Sequence, residues 1–330
     1  MKFITFPRII NYIKLLFGYL LSRLLRRPLH YGMPAAVSIE PTNRCNLHCP
    51  ECPSGMKMLS RDAGFMNIDS FRSIIDQLSP QLTWVTLYFQ GEPFMNPGFF
   101  DLISYARSRN IFVSSSTNGH FLDVNNAKAT VKSGINRLII SVDGTDQEAY
   151  EAYRAGGSLK KVVDGIRTLA DAKKSAGSRT PQIIIQFLVF KSNQHQVNDI
   201  RRKGLEWGGD KVEIKTAQFT DFIHGNPLMP SPGKYSRYRM QDTGWKIKNT
   251  LPDHCFRMWA GCVITWDGTV VPCCFDKDAW HPLGEIKKKS FRETWTSVEY
   301  RDFRHKILNG RAQIAICKNC TEGTGLSRWF

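Results

Sequence analysis

Short runs rich in β-branched residues recur from Val37 onward, with amphipathic stretches between them, and this alternation constrains the fold more than any other feature. The strand-like runs fall at 37–42, 84–89, 111–116, 137–142, 183–189 and 212–217. The helix-like stretches fall at 68–77, 97–107, 125–133, 159–174 and 196–207. Six alternations predict an α/β fold with a parallel sheet and right-handed crossovers. They are too few to close an eight-stranded barrel. A partial (β/α)6 barrel is therefore expected, with ligands at the carboxyl ends of its strands. After about residue 218 the alternation stops, and Pro227, Pro230, Pro232 and Gly233 mark a linker. A cysteine-rich segment of short elements follows. The expected boundaries are an N-terminal helix in 1–36, a barrel in 37–220, a linker in 221–252 and a small domain in 253–330.

The first segment carries Lys2, Arg8, Lys14, Arg23, Arg26 and Arg27, while the first acid in the chain is Glu40. On a helical wheel, Ile9, Ile10, Ile13, Leu16, Phe17, Leu20, Leu21 and Leu24 fall on one broad face. Asn11, Lys14, Gly18 and Ser22 fall on the other. Lys14 and Arg23 interrupt the apolar run, and no small-residue cleavage site follows, which argues against a secretory signal. A spanning helix would need about 20 mostly uncharged residues. Two readings stay open: an amphipathic helix lying on an anionic membrane with Tyr12 and Tyr19 near the interface, or a helix packed on its own core. The whole chain has 45 Lys+Arg against 29 Asp+Glu, net +16, which suits a lipid surface, a nucleic acid or a phosphate-bearing substrate without choosing among them. At 42% hydrophobic and 22% charged, the chain is neither disordered nor fibrous.

Nine cysteines in 330 residues are too sparse for a disulfide-stapled secreted protein, so their spacing carries the information. Cys45-Asn46-Leu47-His48-Cys49-Pro50-Glu51-Cys52 follows directly on the first strand. Three close thiolates can hold three irons of a cubane cluster and leave the fourth open to a small chelating molecule. Structural zinc wants four ligands, and His48 would complete such a set only through a cramped loop.

This pattern resembles the radical S-adenosylmethionine (SAM) superfamily, whose CxxxCxxC motif binds a 4Fe–4S cluster that chelates SAM. Gln90-Gly91-Glu92-Pro93, after the second strand, looks like the family's GGEP element, which binds the SAM amino group. Gly91 would allow close backbone approach, and Glu92 can accept from an ammonium. Ser116-Thr117-Asn118-Gly119 and Ser141-Val142-Asp143-Gly144, after the third and fourth strands, resemble segments that supply polar SAM contacts through Ser116, Asn118, Ser141 and Asp143. Taken singly, Asn118-Gly119 and Asp143-Gly144 read as turns; their serial placement at strand ends sets them apart. Arg154 resembles an arginine that pairs with the SAM carboxylate. One departure stands out: Glu51 occupies the place before the third cysteine, which is usually aromatic in the family.

Cys255, Cys262, Cys273, Cys274, Cys317 and Cys320 fall in the last quarter, with a turn expected at Asp267-Gly268 and a CxxC loop at 317–320. The arrangement resembles the SPASM/twitch extension of radical SAM enzymes. That resemblance implies one auxiliary 4Fe–4S cluster on Cys255, Cys273, Cys317 and Cys320. Full versions of the extension hold two clusters and need more cysteines than the six present here. A four-cysteine zinc knuckle is the rival, and the iron–sulfur motif upstream favours the cluster. Cys262 and Cys274 are left over and read as small buried hydrophobes, with Cys274 also near enough to Cys273 to tune the cluster or touch substrate.

By the same resemblance, a reduced cluster cleaves SAM to methionine and a 5′-deoxyadenosyl radical, which abstracts hydrogen from a substrate in the barrel mouth. The auxiliary cluster would then accept an electron, giving net oxidation of a small-molecule or lipid-linked substrate. Flavodoxin or ferredoxin is the expected type of electron donor. The alternative is a peptide- or protein-modifying maturase. A remote one is a zinc protein that binds nucleic acid, but no aromatic residues interleaved with basic ones mark a sheet for that role, so no nucleic acid is expected. No catalytic acid or base is evident; Asp267, Asp276 and His281 are only nearby polar residues. Oxygen-sensitive clusters imply a reducing cytoplasm, with peripheral placement on the inner membrane face if the basic helix binds lipid.

Overall fold

The runs rich in Val and Ile form β1 (Ala36–Ile39), β2 (Trp84–Thr86), β3 (Phe112–Thr117), β4 (Arg137–Ser141), β5 (Gln182–Val189) and β6 (Lys211–Thr216). They pair in sequence order and all in parallel. A computed structural model describes residues 3–323; Lys2 and the end of the C-terminal segment, 324–330, lie outside the described residues.

An N-terminal helix, α1 (Phe6–Leu25), precedes the sheet. The crossovers are α2 (Ile68–Leu78), α3 (Phe99–Ser108), α4 (Val124–Lys132), the short α5 (Gln147–Glu151) with α6 (Leu159–Ser175), and α7 (Val197–Glu206). Asn67, Asp123, Asp146 and Ser158 start four of these helices by accepting from a backbone N–H three residues on. Val37, Val85 and Val113 align across β1, β2 and β3, and their fully buried side chains meet the helices. The opposite, inner face is polar: Trp84 Nε1 donates to Thr86 Oγ1 and Ser114 Oγ, both at 3.0 Å. This is a partial (β/α)6 barrel with a polar interior.

The C-terminal segment does not merely follow the barrel; it extends the sheet. After the hairpin β7 (Tyr238–Gln241) and β8 (Gly244–Ile247), which lies inside the expected linker, come α8 (Arg257–Ala260), β9 (Gly261–Ile264), β10 (Thr269–Val271) and β11 (Gly284–Glu285). β9 pairs in parallel with β1, from Ala36↔Gly261 to Ile39↔Ile264. β10 returns antiparallel across the Asp267-Gly268 turn, and β11 ends a nine-stranded sheet. The reason is the edge of β1, whose backbone groups need a partner on the side away from β2. Helices α9 (Phe291–Trp295) and α10 (Val298–Gly310) cover the extension.

Helix α1 crosses the closed end of the barrel, at the starts of the strands. Arg8 donates to the carbonyls of Ser79, Arg109 and Asn110, which end α2 and α3. Asn11 makes two bonds to the Met33 backbone, at 2.7 and 2.8 Å, and Tyr19 bonds His254 at 2.8 Å. The buried face is thus Arg8, Asn11, Leu15, Gly18, Tyr19 and Ser22. The helix packs on the body through its largely polar face, and the broad apolar face stays exposed. Among the described residues no helix is long and apolar enough to cross a membrane.

Candidate functional site

The cysteine loop springs from the carboxyl end of β1 and is anchored at its base. Glu40 and Arg61 form a buried two-bond ion pair, at 2.8 and 2.9 Å, and Glu40 also accepts from the backbone of Trp266. Thr42 and Asn43 bond the backbone of 62–64. Between these ties the chain presents Cys45, Cys49 and Cys52, all free thiols. Burial raises the Cys45 thiol to about 11 and moves Cys49 in the same direction.

The segment after β2 closes directly on this loop. Gly91 has a φ of +74°, and a Cβ there would stand 2.6 Å from the carbonyls of Thr42 and Arg44. Its N–H donates to Ser54 at 3.1 Å, and the Glu92 N–H donates to Arg44 at 2.7 Å. The Glu92 carboxylate accepts from Thr117 Oγ1 at 2.8 Å, the Asn118 backbone at 2.7 Å and the Phe94 backbone at 3.2 Å. Complete burial still lifts this carboxyl to about 7. Asn118 bonds Asn46 at 2.8 Å and lies 4.0 Å from the Cys45 sulfur. Gln90 bonds the neighbouring carbonyl of Phe89. Ser116 and Ser141 stand on β3 and β4, toward their carboxyl ends.

Asp143 and Arg154 form a second buried unit. Arg154 Nε donates to Asp143 Oδ2 at 2.6 Å, and Asp143 Oδ1 accepts from Leu188 at 2.7 Å. Arg154 also stands against the Cys49 sulfur, where its charge opposes the effect of burial. Both Asp143 oxygens are therefore engaged inside the protein. Residues the motifs do not point to also enter the site. Thr117 holds Glu92, Asn46 holds Asn118, and the partly buried Tyr88 lies near Cys45, Cys52, Glu92 and Arg154. Only the position of Tyr88, two residues before Gln90, could have marked it.

The second cysteine set lies on the loops around the sheet extension: Cys255 just before α8, Cys273 just after β10, and Cys317 and Cys320 after α10. Cys255, Cys317 and Cys320 are buried, Cys273 is partly so and Cys274 is exposed. Arg311 gathers the end of the chain: it donates to the carbonyls of His254 and Glu322 and to the Cys320 sulfur at 3.3 Å. Burial pushes the Cys317 thiol up to about 12. Cys262, on β9, is buried beside Tyr300 and Arg304 and borders the same cavity as Cys273 and Cys274. Arg257 ion-pairs with Glu322 and donates to the Cys274 sulfur at 3.1 Å. A cavity of about 130 Å³ opens between Ser38, Trp84 and Thr86 of the inner barrel and Arg257, Cys273 and Cys274. Lys277 lies between the two sets, near Cys52 and Cys274, and burial lowers its pKa. Asp267 accepts from Thr265 and Thr269 in the hairpin turn, and Asp276 from the backbone of Trp280 and His281. His281 packs edge-on against Phe303.

Three thiols on the loop after the first strand of a partial barrel, with a second thiol group on the loops of the C-terminal segment that extends its sheet, are the cysteine groups of an iron–sulfur enzyme of the radical type. The chain belongs to the radical SAM superfamily, matching it over residues 39–188, and carries the SPASM iron–sulfur cluster-binding domain over 255–321. Its cofactors are accordingly SAM, a SAM-binding 4Fe–4S cluster and auxiliary iron–sulfur ligation. It is 26% identical over 301 residues to the tungsten-containing aldehyde ferredoxin oxidoreductase cofactor-modifying protein of Pyrococcus furiosus, covering 82% of this chain and 83% of that one. It is 24% identical to the AdoMet-dependent heme synthase of Methanosarcina barkeri, covering 87% and 91%. With the PqqA peptide cyclase of Streptomyces rochei it shares 25% identity over 63% of this chain and 56% of that one. The fold is also that of BtrN in complex with AdoMet and 2-DOIA, with a TM-score of 0.55, 18% identity and coverage of 88% and 94%.

Proposed function

We propose that this protein is a radical SAM oxidoreductase that oxidises a small molecule, with an auxiliary 4Fe–4S cluster on Cys255, Cys273, Cys317 and Cys320 as electron acceptor. When bound, SAM and its cluster supply a 5′-deoxyadenosyl radical after one-electron reduction by a flavodoxin- or ferredoxin-type donor. The chain's own residues hold and orient the partners. Cys45, Cys49 and Cys52 are the ligands at the mouth. Glu92 is the acceptor for the SAM ammonium, with Gln90 and Gly91 forming the backbone approach beside it. Ser116, Asn118 and Ser141 supply further polar contacts. Arg154, braced by Asp143, is the counter-charge to the SAM carboxylate.

The observation that carries the acceptor role is the cavity shared by the inner barrel strands and by Cys273 and Cys274. A substrate seated there would lose a hydrogen atom on the barrel side and an electron toward the second cysteine set, with a proton released to complete a two-electron oxidation. Relatives matched along nearly their whole length are named for modifying a cofactor and for making heme. Those names favour a small-molecule substrate. The second reading, peptide modification, is favoured by the name of the PqqA peptide cyclase, matched over 56% of its length.

Anaerobic reconstitution tests the proposal. About eight irons per chain are expected. Cys273→Ala should lose the auxiliary signal in electron paramagnetic resonance yet still cleave SAM under strong reductant, whereas Cys49→Ala should lose cleavage. Small-molecule and peptide fractions from deuterium-grown cells then separate the two readings. Deuterium reaching 5′-deoxyadenosine from the peptide fraction alone would overturn the first. A Cys273→Ala protein that kept both signals would overturn the ligand set.

A further inference from the structure

Helix α1 is amphipathic in the opposite sense to an ordinary surface helix. At about 100° per residue, Phe6, Ile9, Ile13, Phe17, Leu20 and Leu24 form one continuous ridge. That ridge faces away from the protein, with Phe6 75%, Phe17 59% and Leu24 78% exposed. The opposite face, through Arg8, Asn11 and Tyr19, is the one bonded to the body. Half of the large exposed hydrophobic side chains among the described residues lie between Ile4 and Leu25, and Tyr31 adds to the ridge by its ring contact with Phe17. An apolar ridge of this extent is a contact surface, because isolated monomers keep such patches small.

Charge identifies the occupant. Lys14 and Arg23 are exposed and stand one on each border of the ridge, and Arg27 is exposed at its end, while Arg26 beside it pairs with Asp253. No acidic residue occurs before Glu40. A ridge of Ile, Leu and Phe flanked on both sides by cations matches the boundary between acyl chains and anionic headgroups. A groove of about 450 Å³ continues the ridge between Ile9, Ile13, Trp84 and Phe112, and its apolar walls suit an acyl chain.

We infer that α1 seats the enzyme on an anionic membrane surface, with the closed end of the barrel toward the bilayer and the cysteine loop facing away. The orientation follows from the anchoring of Arg8 at the carbonyls that precede β2 and β3, while Cys45, Cys49 and Cys52 leave the far end of β1. A strand of about six residues separates these ends by roughly 20 Å. The barrel mouth therefore draws its substrate from the aqueous side. The helix gives no support to a lipid-linked substrate, whose reacting carbon would have to reach the far end of the barrel. The inference is independent of the redox reading.

Flotation of the full-length holoprotein tests it, with vesicles of phosphatidylglycerol and phosphatidylcholine at about one to two. The protein should float with these vesicles and not with pure phosphatidylcholine. About 0.5 M NaCl, which shortens the screening length to a few ångström, should weaken the association. Ile13→Glu with Phe17→Glu should reduce bound protein roughly tenfold or more while leaving reductive SAM cleavage unchanged, because both side chains are exposed and remote from the cysteine loop. Lys14→Glu with Arg23→Glu should remove the preference for anionic vesicles. Absence of flotation would overturn the inference, as would equal flotation with neutral vesicles. Sedimentation showing a dimer that Ile13→Glu with Phe17→Glu dissociates, without vesicle binding, would assign the ridge to a second copy of the chain instead.

Discussion

At the scale of single residues, the departure at Glu51 has a structural use. Its two oxygens accept from the Thr220 backbone at 2.8 Å and from Asn226 at 2.7 Å, tying the segment after β6 over the cysteine loop. His30 is a different kind of polar group, partly buried. Its Nε2 donates to the Trp259 carbonyl at 3.2 Å, its ring meets Trp295 edge-on, and Arg304 lies near. Burial first, and the Arg304 charge second, lower its pKa to about 3. The unfolded chain takes up this proton near pH 6.5 and the folded chain refuses it. Stability from this group is therefore complete above pH 6.5 and falls as pH drops toward 3, by up to about 1.4 kcal/mol per pH unit. His30→Gln keeps an N–H donor for Trp259 but cannot titrate. Urea unfolding of the cluster-free protein between pH 5 and 7.5 should show a flatter dependence for the variant. Equal slopes would mean that other groups titrate.

At the scale of elements, the six strands were legible because each is a short β-branched run between amphipathic helices, and the Asp267-Gly268 turn because few dipeptides fit a tight hairpin. The partner of β9 was not legible. Gly261-Cys262-Val263-Ile264 reads like any buried run, and only the tertiary fold leaves the edge of β1 free to receive it. The face of α1 that packs was also hidden, since periodicity defines two faces without saying which is buried. Close approach decides it: a Cβ on Gly18 would stand 3.0 Å from the Leu29 carbonyl, and Asn11 replaces the bonds that the Met33 backbone would make to water. Around the SAM site, the motif residues were visible but their braces were not. Thr117 and Asn46 are unremarkable polar residues until the strand ends converge. Asn11→Leu should leave both Met33 backbone groups buried without partners, at a cost of about 2–4 kcal/mol. Limited proteolysis should then cut faster between α1 and β1, and an unchanged cleavage rate would show that Leu15 and Tyr19 hold the helix without Asn11.

At the scale of the molecule, one sheet ties together the two segments that carry the cysteine sets. β1 carries the cysteine loop at its carboxyl end and lies between β2 and β9. The C-terminal segment also secures α1 and the strand that follows it: Trp259 donates to Leu29, Trp295 donates to Gly32, and His254 bonds Tyr19. Removing residues 253–330 would expose the full edge of β1 and strip these partners from the N-terminal segment together. A 1–252 fragment should therefore aggregate, and the thiols of the first set should fail to assemble a cluster even though all three remain in the chain. Size-exclusion chromatography and iron content after anaerobic reconstitution check this. A monomeric fragment holding about four irons and cleaving SAM would mean that the barrel folds without its extension, and that β9 only borders a sheet already complete.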